Sequence, residues 1–396
     1  MRAISSAIPT LVVSAILATS LTGCQLFDSS AADTREIVIG ADLEISGAAA
    51  EVGQAYERAL RLKVEQINDS GMLGDRKVRL EVKDNRFDPS VSASNIGDFT
   101  SDPAISAIIM GSCNECGTGA AKTINDRRVP TIALAPASAV AEARGYMFKL
   151  GPNARDNAAA MVVELQQRKA EKVALLHTDD RYGHEGLETL RVELDKIGIE
   201  LVDSRAVKPT DTEVGQAARA LVDPEDSDDK PDTLLVWTGA EQANSAASAS
   251  RAAGFRGTLF FDAVAAGDLF VGGKSHAAEN ATMVFTQTMV IDDIIATTPA
   301  KAARKQWFND YTARFGGYNG GSSFAADALQ LIADAHLRAG GPADRVNRNG
   351  IRDVLETSQL DGLSGPIRMT PDNHSGLMPQ ALTTLVARNG RWRLAG

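Results

Sequence analysis

Two cysteines, Cys113 and Cys116, carry the most reactive side chains of a turn that otherwise holds small and polar residues. Outside the cytosol such a pair can form a small-ring disulfide, which would stiffen this turn. A Cys-x-x-Cys between a strand and a helix is also how thioredoxin-like proteins place a reactive thiol pair, although this chain is far longer than that fold. A zinc site would need a second pair of ligands, which the sequence lacks.

Other motifs of common catalytic sites do not occur in the sequence. It has no phosphate-binding loop ending in Gly-Lys-Ser/Thr, no Gly-x-Ser-x-Gly and no His-Glu-x-x-His. The five histidines are scattered without the spacing of metal ligands. A net charge of −10 argues against nucleic acid as a partner, because that binding needs a basic surface. We therefore expect a binding protein without metal or cofactor, and not an enzyme.

Apolar runs of strand length alternate with helical patterns in two successive blocks, over 36–134 and 157–261. Continuous apolar strands separated by amphipathic helices predict parallel sheets covered on both faces. Two such blocks predict an α/β fold with two doubly wound lobes. In open parallel sheets, ligands bind outside the carboxyl ends of the strands, so binding residues are expected in the turns that follow strands. Five turns meet this condition: 111–119, 133–142, 177–186, 238–242 and 262–268.

The N-terminus has the pattern of an export signal. Met1-Arg2 is followed by an apolar stretch over 7–21, shorter than the roughly 20 residues of a membrane span. Leu21-Thr22-Gly23-Cys24 resembles a bacterial lipobox, in which the cysteine is acylated and becomes the mature N-terminus. We predict a lipoprotein signal peptide over 1–23, lipidation of Cys24, a polar tether over 24–35, and an extracytoplasmic protein held to the membrane by lipid. An ordinary secretory signal is the alternative.

Short motifs in and around these turns resemble those of the leucine/isoleucine/valine-binding family of substrate-binding proteins. They include Ile37-Val38-Ile39-Gly40, Asp84-Asn85 with Asp88-Pro89, Tyr182-Gly183, and Arg251-Ala252-Ala253-Gly254, in the family's order. The resemblance runs from about residue 36 to residue 392.

The resemblance implies the type I periplasmic-binding fold. In that fold two lobes, joined by three strands, close around a ligand by a hinge motion. Lobe 1 would comprise 36–152 plus 286–376, and lobe 2 would comprise 153–285 plus 377–396.

The same resemblance implies ligand-binding residues. Ala137 and Ser138 fall, with a one-residue gap, where the family holds the ligand carboxylate by backbone and hydroxyl groups. Tyr182 matches the family's cleft tyrosine. Asp262 matches the acidic residue that meets the ligand ammonium.

Asn114 and Glu115 stand where amino-acid binders present a small residue and a serine that holds the carboxylate. A glutamate 4 Å from a ligand carboxylate would cost about 4 kcal/mol at an effective dielectric constant near 20. Either Glu115 points away from the ligand, or the ligand is not an α-amino acid bound in the usual pose. We still expect an amino acid as the first candidate ligand, but only narrowly ahead of an amide, a urea-like compound or a cation.

The resemblance also implies partners. The family mostly delivers small molecules to ABC permeases in the membrane, and we expect this chain to do so as a monomer. A ligand-sensing receptor on the same fold is the alternative, because lobe closure is common to both. An exported redox protein that uses Cys113 and Cys116 is a more remote alternative.

Overall fold

The computed structural model describes residues 36–47, 49–136, 145–225, 227–265, 276–340 and 346–395. Several predictions fall outside these ranges: the signal peptide over 1–23, lipidation of Cys24, the tether over 24–35, and the roles of Ala137 and Ser138.

The first sheet has five strands, all parallel, in the order β2-β1-β3-β4-β5. Its strands are β1 (Glu36–Leu43), β2 (Lys77–Asp84), β3 (Ile105–Met110), β4 (Thr131–Ala133) and β5 (Met147–Lys149). Every residue of β3 is buried, as is every residue of β1 after Glu36. Strands that are buried in this way are typical of a parallel sheet with helices on both faces.

The first four strands are connected by α1 (Ala50–Ser70), α2 (Pro89–Ser101) and α3 (Asn114–Arg127). Local sequence sets their ends. Gly71 ends α1 in the left-handed conformation, with φ of 70°. The Asp88 carboxylate begins α2 by accepting from the backbone N–H groups of Ser90 and Val91, and Pro89 occupies the first turn.

The second sheet has seven strands in the order β14-β13-β10-β9-β8-β6-β7. Its strands are β6 (Lys172–Thr178), β7 (Glu200–Val207), β8 (Thr233–Trp237), β9 (Thr258–Phe261), β10 (Thr282–Thr286), β13 (Leu382–Arg388) and β14 (Arg391–Leu394). The first five are parallel, and β13 and β14 add an antiparallel edge. Its helices are α4 (Ala154–Gln167), α5 (Arg181–Ile197), α6 (Gly215–Val222) and α7 (Ala240–Ala252).

The segment between β10 and β13 returns to the first sheet. It forms α8 (Pro299–Phe315), α9 (Ser322–Ala339), α10 (Arg348–Leu355) and the hairpin of β11 (Gln359–Asp361) and β12 (Pro366–Arg368). Helix α9 packs against α1 and β3, and α10 packs against α9. The chain therefore passes between the two groups of elements three times, over 150–153, 287–298 and 369–381.

The predicted α/β fold, with two doubly wound parallel sheets, is confirmed. Within the residues described above, none of the helices has both the length and the apolar character that crossing a bilayer requires.

Candidate ligand-binding site

A cleft of about 540 Å³ lies at the carboxyl ends of the strands of both sheets. The N-terminal ends of α1, α3, α5, α7 and α9 all contribute to its lining. Each of the five turns singled out from the sequence contributes at least one lining residue. The cleft therefore occupies the position at which open parallel sheets bind their ligands.

Tyr182 forms part of the cleft wall, near the beginning of α5, and is 3% exposed. Its hydroxyl donates to Oδ2 of Asp262 and accepts from Nδ2 of Asn157 at 3.3 Å. Its ring lies 5.3 Å from that of Trp237. Hydrogen bonds and ring packing thus fix the tyrosine, which can present its ring to a ligand without moving.

Asp262 lies behind Tyr182, after β9, and is fully buried. Its carboxylate is not among the groups that line the cleft. Burial raises its pKa to about 7, and the hydrogen bonds from Tyr182 and from the Val264 amide only partly oppose this rise. The acidic residue implied by the family resemblance is therefore separated from the cleft by the side chain of Tyr182.

Asp180 is a lining residue that the sequence reasoning did not single out. It caps the beginning of α5, where Oδ1 accepts from the Gly183 amide at 2.9 Å and from the Thr178 hydroxyl at 2.7 Å. Its Oδ2 lies 3.5 Å from Nδ2 of Asn114, which is a long hydrogen bond across the cleft. An aspartate directly before the Arg-Tyr-Gly start of a helix was the signal that could have identified it.

Cys113 and Cys116 are joined by a disulfide at the beginning of α3. The Cys113 sulfur also accepts from the Cys116 amide at 3.2 Å. The two residues between these cysteines differ in their position relative to the cleft. Asn114 lines the cleft, whereas Glu115 is exposed and lies outside the lining. This position of Glu115 fits the first of the two possibilities that the sequence left open, in which its side chain points away from the ligand.

Glu44 holds the same turn through Ser112, and the sequence reasoning did not single it out. It is fully buried, and Oε1 accepts from the Ser112 amide at 2.9 Å and from the Ser112 hydroxyl at 2.6 Å. Burial raises its pKa. A Cβ at Gly111 would lie 2.0 Å from Oε2 of Glu44, so a larger residue at this position would displace the carboxyl group. Ser112 is thereby held at the cleft wall.

The lining combines aromatic side chains with carboxylates. The aromatic residues are Tyr56, Phe87, Tyr182, Phe285 and Phe324, and the acidic residues are Glu51, Asp180, Asp211 and Glu241. None of the described residues that line the cleft is basic. Such a surface suits a small ligand with an apolar body and a hydrogen-bond donor or positive charge.

A second cavity of about 730 Å³ lies between α4, α5 and the segment 368–379. Its lining includes Arg155, Asp156, Glu185 and Arg368, and comes from the beginning of α4, one side of α5 and the segment that starts at the end of β12. Although it is larger, it lacks the aromatic side chains and the set of helix N-termini found in the cleft. No group of residues able to hold a metal ion occurs in the described parts of the chain.

Comparison with known proteins gave consistent results. The sequence profile of the periplasmic binding protein family matches residues 36–391. An amino acid binding protein of Pseudomonas aeruginosa is 26% identical over 172 residues, which is 42% of this chain and 46% of that protein. This match thus spans about half the length of the curated relative.

Solved structures share the fold over almost the whole chain. An extracellular ligand-binding receptor from Rhodopseudomonas palustris HaA2 has a TM-score of 0.80 at 24% identity, and the match covers 91% of this chain and 99% of that one. A leucine binding protein from Thermotoga maritima has a TM-score of 0.78 at 16% identity, with coverages of 91% and 98%. An ABC transporter solute binding protein from R. palustris, in complex with benzoate, has a TM-score of 0.78 at 16% identity, with coverages of 91% and 96%.

Proposed function

Because the chain belongs to the periplasmic binding protein family, we propose that it is the extracytoplasmic solute-binding lipoprotein of an ABC importer. It is a binding protein and not an enzyme. The observation that carries the proposal is the cleft, in which the N-terminal ends of helices from both groups of elements surround one cavity of about 540 Å³. A ligand held there contacts both sides at once, so binding favours closure about the three connections.

The two sides correspond to two lobes. Lobe 1 comprises 36–152 plus 286–376, and lobe 2 comprises 153–285 plus 377–396. The long Asn114–Asp180 contact joins lobe 1 to lobe 2 directly across the cleft. This contact belongs to the closed arrangement of the lobes and breaks when they open to exchange ligand.

The ligand is a small polar molecule, with an amino acid or amide as the first candidate. Tyr182 packs on its apolar part, and Asn114 contributes a side-chain amide. Ala137 and Ser138 hold its carboxylate, directly after Pro136, which lines the cleft. The P. aeruginosa relative is described as an amino acid binding protein, which supports this choice of ligand class.

Acylation of Cys24 holds the protein at the outer face of the membrane, and the segment 24–35 serves as a tether to the domain. The partner is the ABC permease that receives the ligand. Support for the anchor comes from the lipobox pattern of residues 21–24.

A ligand-sensing receptor is the second candidate. A structure described as an extracellular ligand-binding receptor matches the whole domain, and lobe closure serves sensing as well as transport. The redox alternative has less support, because Cys113 and Cys116 are 4% and 1% exposed and thiol exchange needs access to sulfur.

Thermal denaturation with a panel of amino acids, amides, urea, diamines and benzoate tests the proposed function. A ligand that binds only the folded protein stabilises it, by about 3 kcal/mol at a hundred times its Kd. We expect at least one amino acid or amide to raise the melting temperature by several degrees. If no member of the panel shifts the melting temperature, the proposed ligand class is wrong.

A further inference from the structure

The lobe 2 side of the cleft carries a polar surface that extends beyond Tyr182. The turn after β7 contributes Asp211, and the first turn of α7 contributes Glu241 and Gln242. We call these three residues the acceptor wall. Ser245 and Ser248 continue the same face along α7.

Gln242 holds the acceptor wall together. It is 6% exposed, and its Nε2 donates to the backbone carbonyls of Lys208 at 2.8 Å and of Asp211 at 2.9 Å. These two bonds fix the orientation of the amide, since only the nitrogen can donate. They also keep the turn that carries Asp211 against the beginning of α7.

The same two bonds leave the Gln242 oxygen unsatisfied. Oε1 is buried, belongs to a side chain that lines the cleft, and has no hydrogen-bond partner among the residues that the structure describes. A buried acceptor without a donor is unfavourable. A ligand that brings an N–H group to this place removes the deficit.

Charge points to the same kind of ligand. Asp211 and Glu241 flank Gln242, and the lining described here contains no basic side chain that could neutralise them. Glu241 in the first turn also stabilises the helix dipole of α7. Asp211 also accepts from the Lys208 amide at 3.0 Å within its own turn. Neither of these local roles explains the unpaired oxygen of Gln242, whereas a cationic donor on the ligand would bond that oxygen and lie between the two carboxylates.

We propose that the acceptor wall binds a primary ammonium or guanidinium group at the end of the ligand's aliphatic chain. The ligand class is then a basic amino acid or an aliphatic diamine, with its methylene groups against the aromatic side chains of the cleft. This inference rests on the proposed function and narrows its ligand class.

Three compounds of matched shape test the inference by calorimetric titration of the full chain. L-Lysine carries both the terminal ammonium and the carboxylate, L-norleucine lacks the terminal ammonium, and cadaverine lacks the carboxylate. We expect lysine, cadaverine or both to bind at least about tenfold more tightly than norleucine, and the difference to shrink as ionic strength rises. The comparison of lysine with cadaverine shows whether the preferred ligand is a basic amino acid or a diamine.

Charge-neutral variants locate the effect. Asp211→Asn with Glu241→Gln should weaken binding of the favoured cation by about tenfold and leave norleucine unchanged. Glu213→Gln is the matched control, because Glu213 is also exposed and lies two residues beyond Asp211 but does not line the cleft. Melting temperatures without ligand show that each variant is folded.

Two results would overturn the inference alone. In the first, norleucine, leucine or benzoate binds as tightly as both cations. In the second, the double variant keeps the full preference for a cation. If no compound in either panel binds, the inference and the proposed function fail together.

Discussion

Replacing Asp262 with asparagine should stabilise the protein above neutral pH and have little effect near pH 4. The pKa of the buried carboxyl group is raised to about 7, whereas an aspartate in an unfolded chain titrates near 4. The folded protein therefore retains a proton that the unfolded chain has lost. As pH rises from about 4 to about 7, Asp262 lowers the stability of the native protein, and the full penalty persists above that range. The gap between the two pKa values corresponds to roughly 4 kcal/mol.

Asparagine keeps the shape of the side chain and removes the charge. Its amide oxygen can still accept from Tyr182, so the cleft wall stays in place. Urea denaturation of both proteins near pH 4.5, 6 and 8 measures the effect as a difference that grows with pH up to roughly 4 kcal/mol. Asp75→Asn, at an exposed site, is the control and should give a small difference at every pH. A difference for Asp262→Asn that does not change with pH would show that this carboxyl group ionises normally in the folded protein.

Replacing Gly183 with alanine should lower both stability and ligand affinity. A Cβ at this position would lie 1.8 Å from the carbonyl oxygen of Thr178, and a backbone atom cannot move aside cheaply. Overpacking of this kind costs about 3 kcal/mol. The Gly183 amide also bonds Asp180, and Tyr182 is its neighbour, so the shift displaces two cleft residues. This contact explains why glycine follows the cleft tyrosine.

Gly97→Ala is the matched control for this prediction. Gly97 lies inside α2, and apart from its chain neighbours and the nearby backbone of its own helix, no atom lies within 4 Å of the position that a Cβ would take. Alanine there should be neutral or stabilise the protein by up to about 1 kcal/mol. Thermal denaturation with and without the best ligand of the panel compares the two variants. Equal melting temperatures and affinities would show that the Thr178 carbonyl does not restrict this turn.

The alternation of apolar strands and amphipathic helices was sufficient to predict the fold, whereas some elements gave little signal. Helix α8 buries only Trp307 and Tyr311 among its 17 residues, so its sequence lacks a clear apolar stripe. Strand β5 has three residues, too few for a period to be read. The antiparallel strand β14 follows β13 through a short turn, and its four residues are again too few for a period to be read.

The candidate site was harder to predict, because depth and orientation depend on tertiary contacts. The position of Tyr182 at the cleft could be predicted from its motif, but nothing local shows that Asp262 stands behind it. Glu44 and Gln242 were missed for the same reason, since their partners are 68 and 31–34 residues away in the chain. The sequence left open whether Glu115 faces a ligand. Its exposure became clear only from its position in the first turn of α3.

The most direct test of the central claim asks which of the two cavities lined by the described residues holds the ligand. Calorimetric titration uses the panel compound with the largest melting shift, against the unchanged protein, Asn114→Ala, Tyr182→Ala and Arg368→Ala. We predict one ligand per chain, with affinity at least about tenfold weaker in both cleft variants. Arg368 lines only the second cavity, so its variant should bind normally. Binding that survives both cleft changes but is lost with Arg368→Ala would contradict the account.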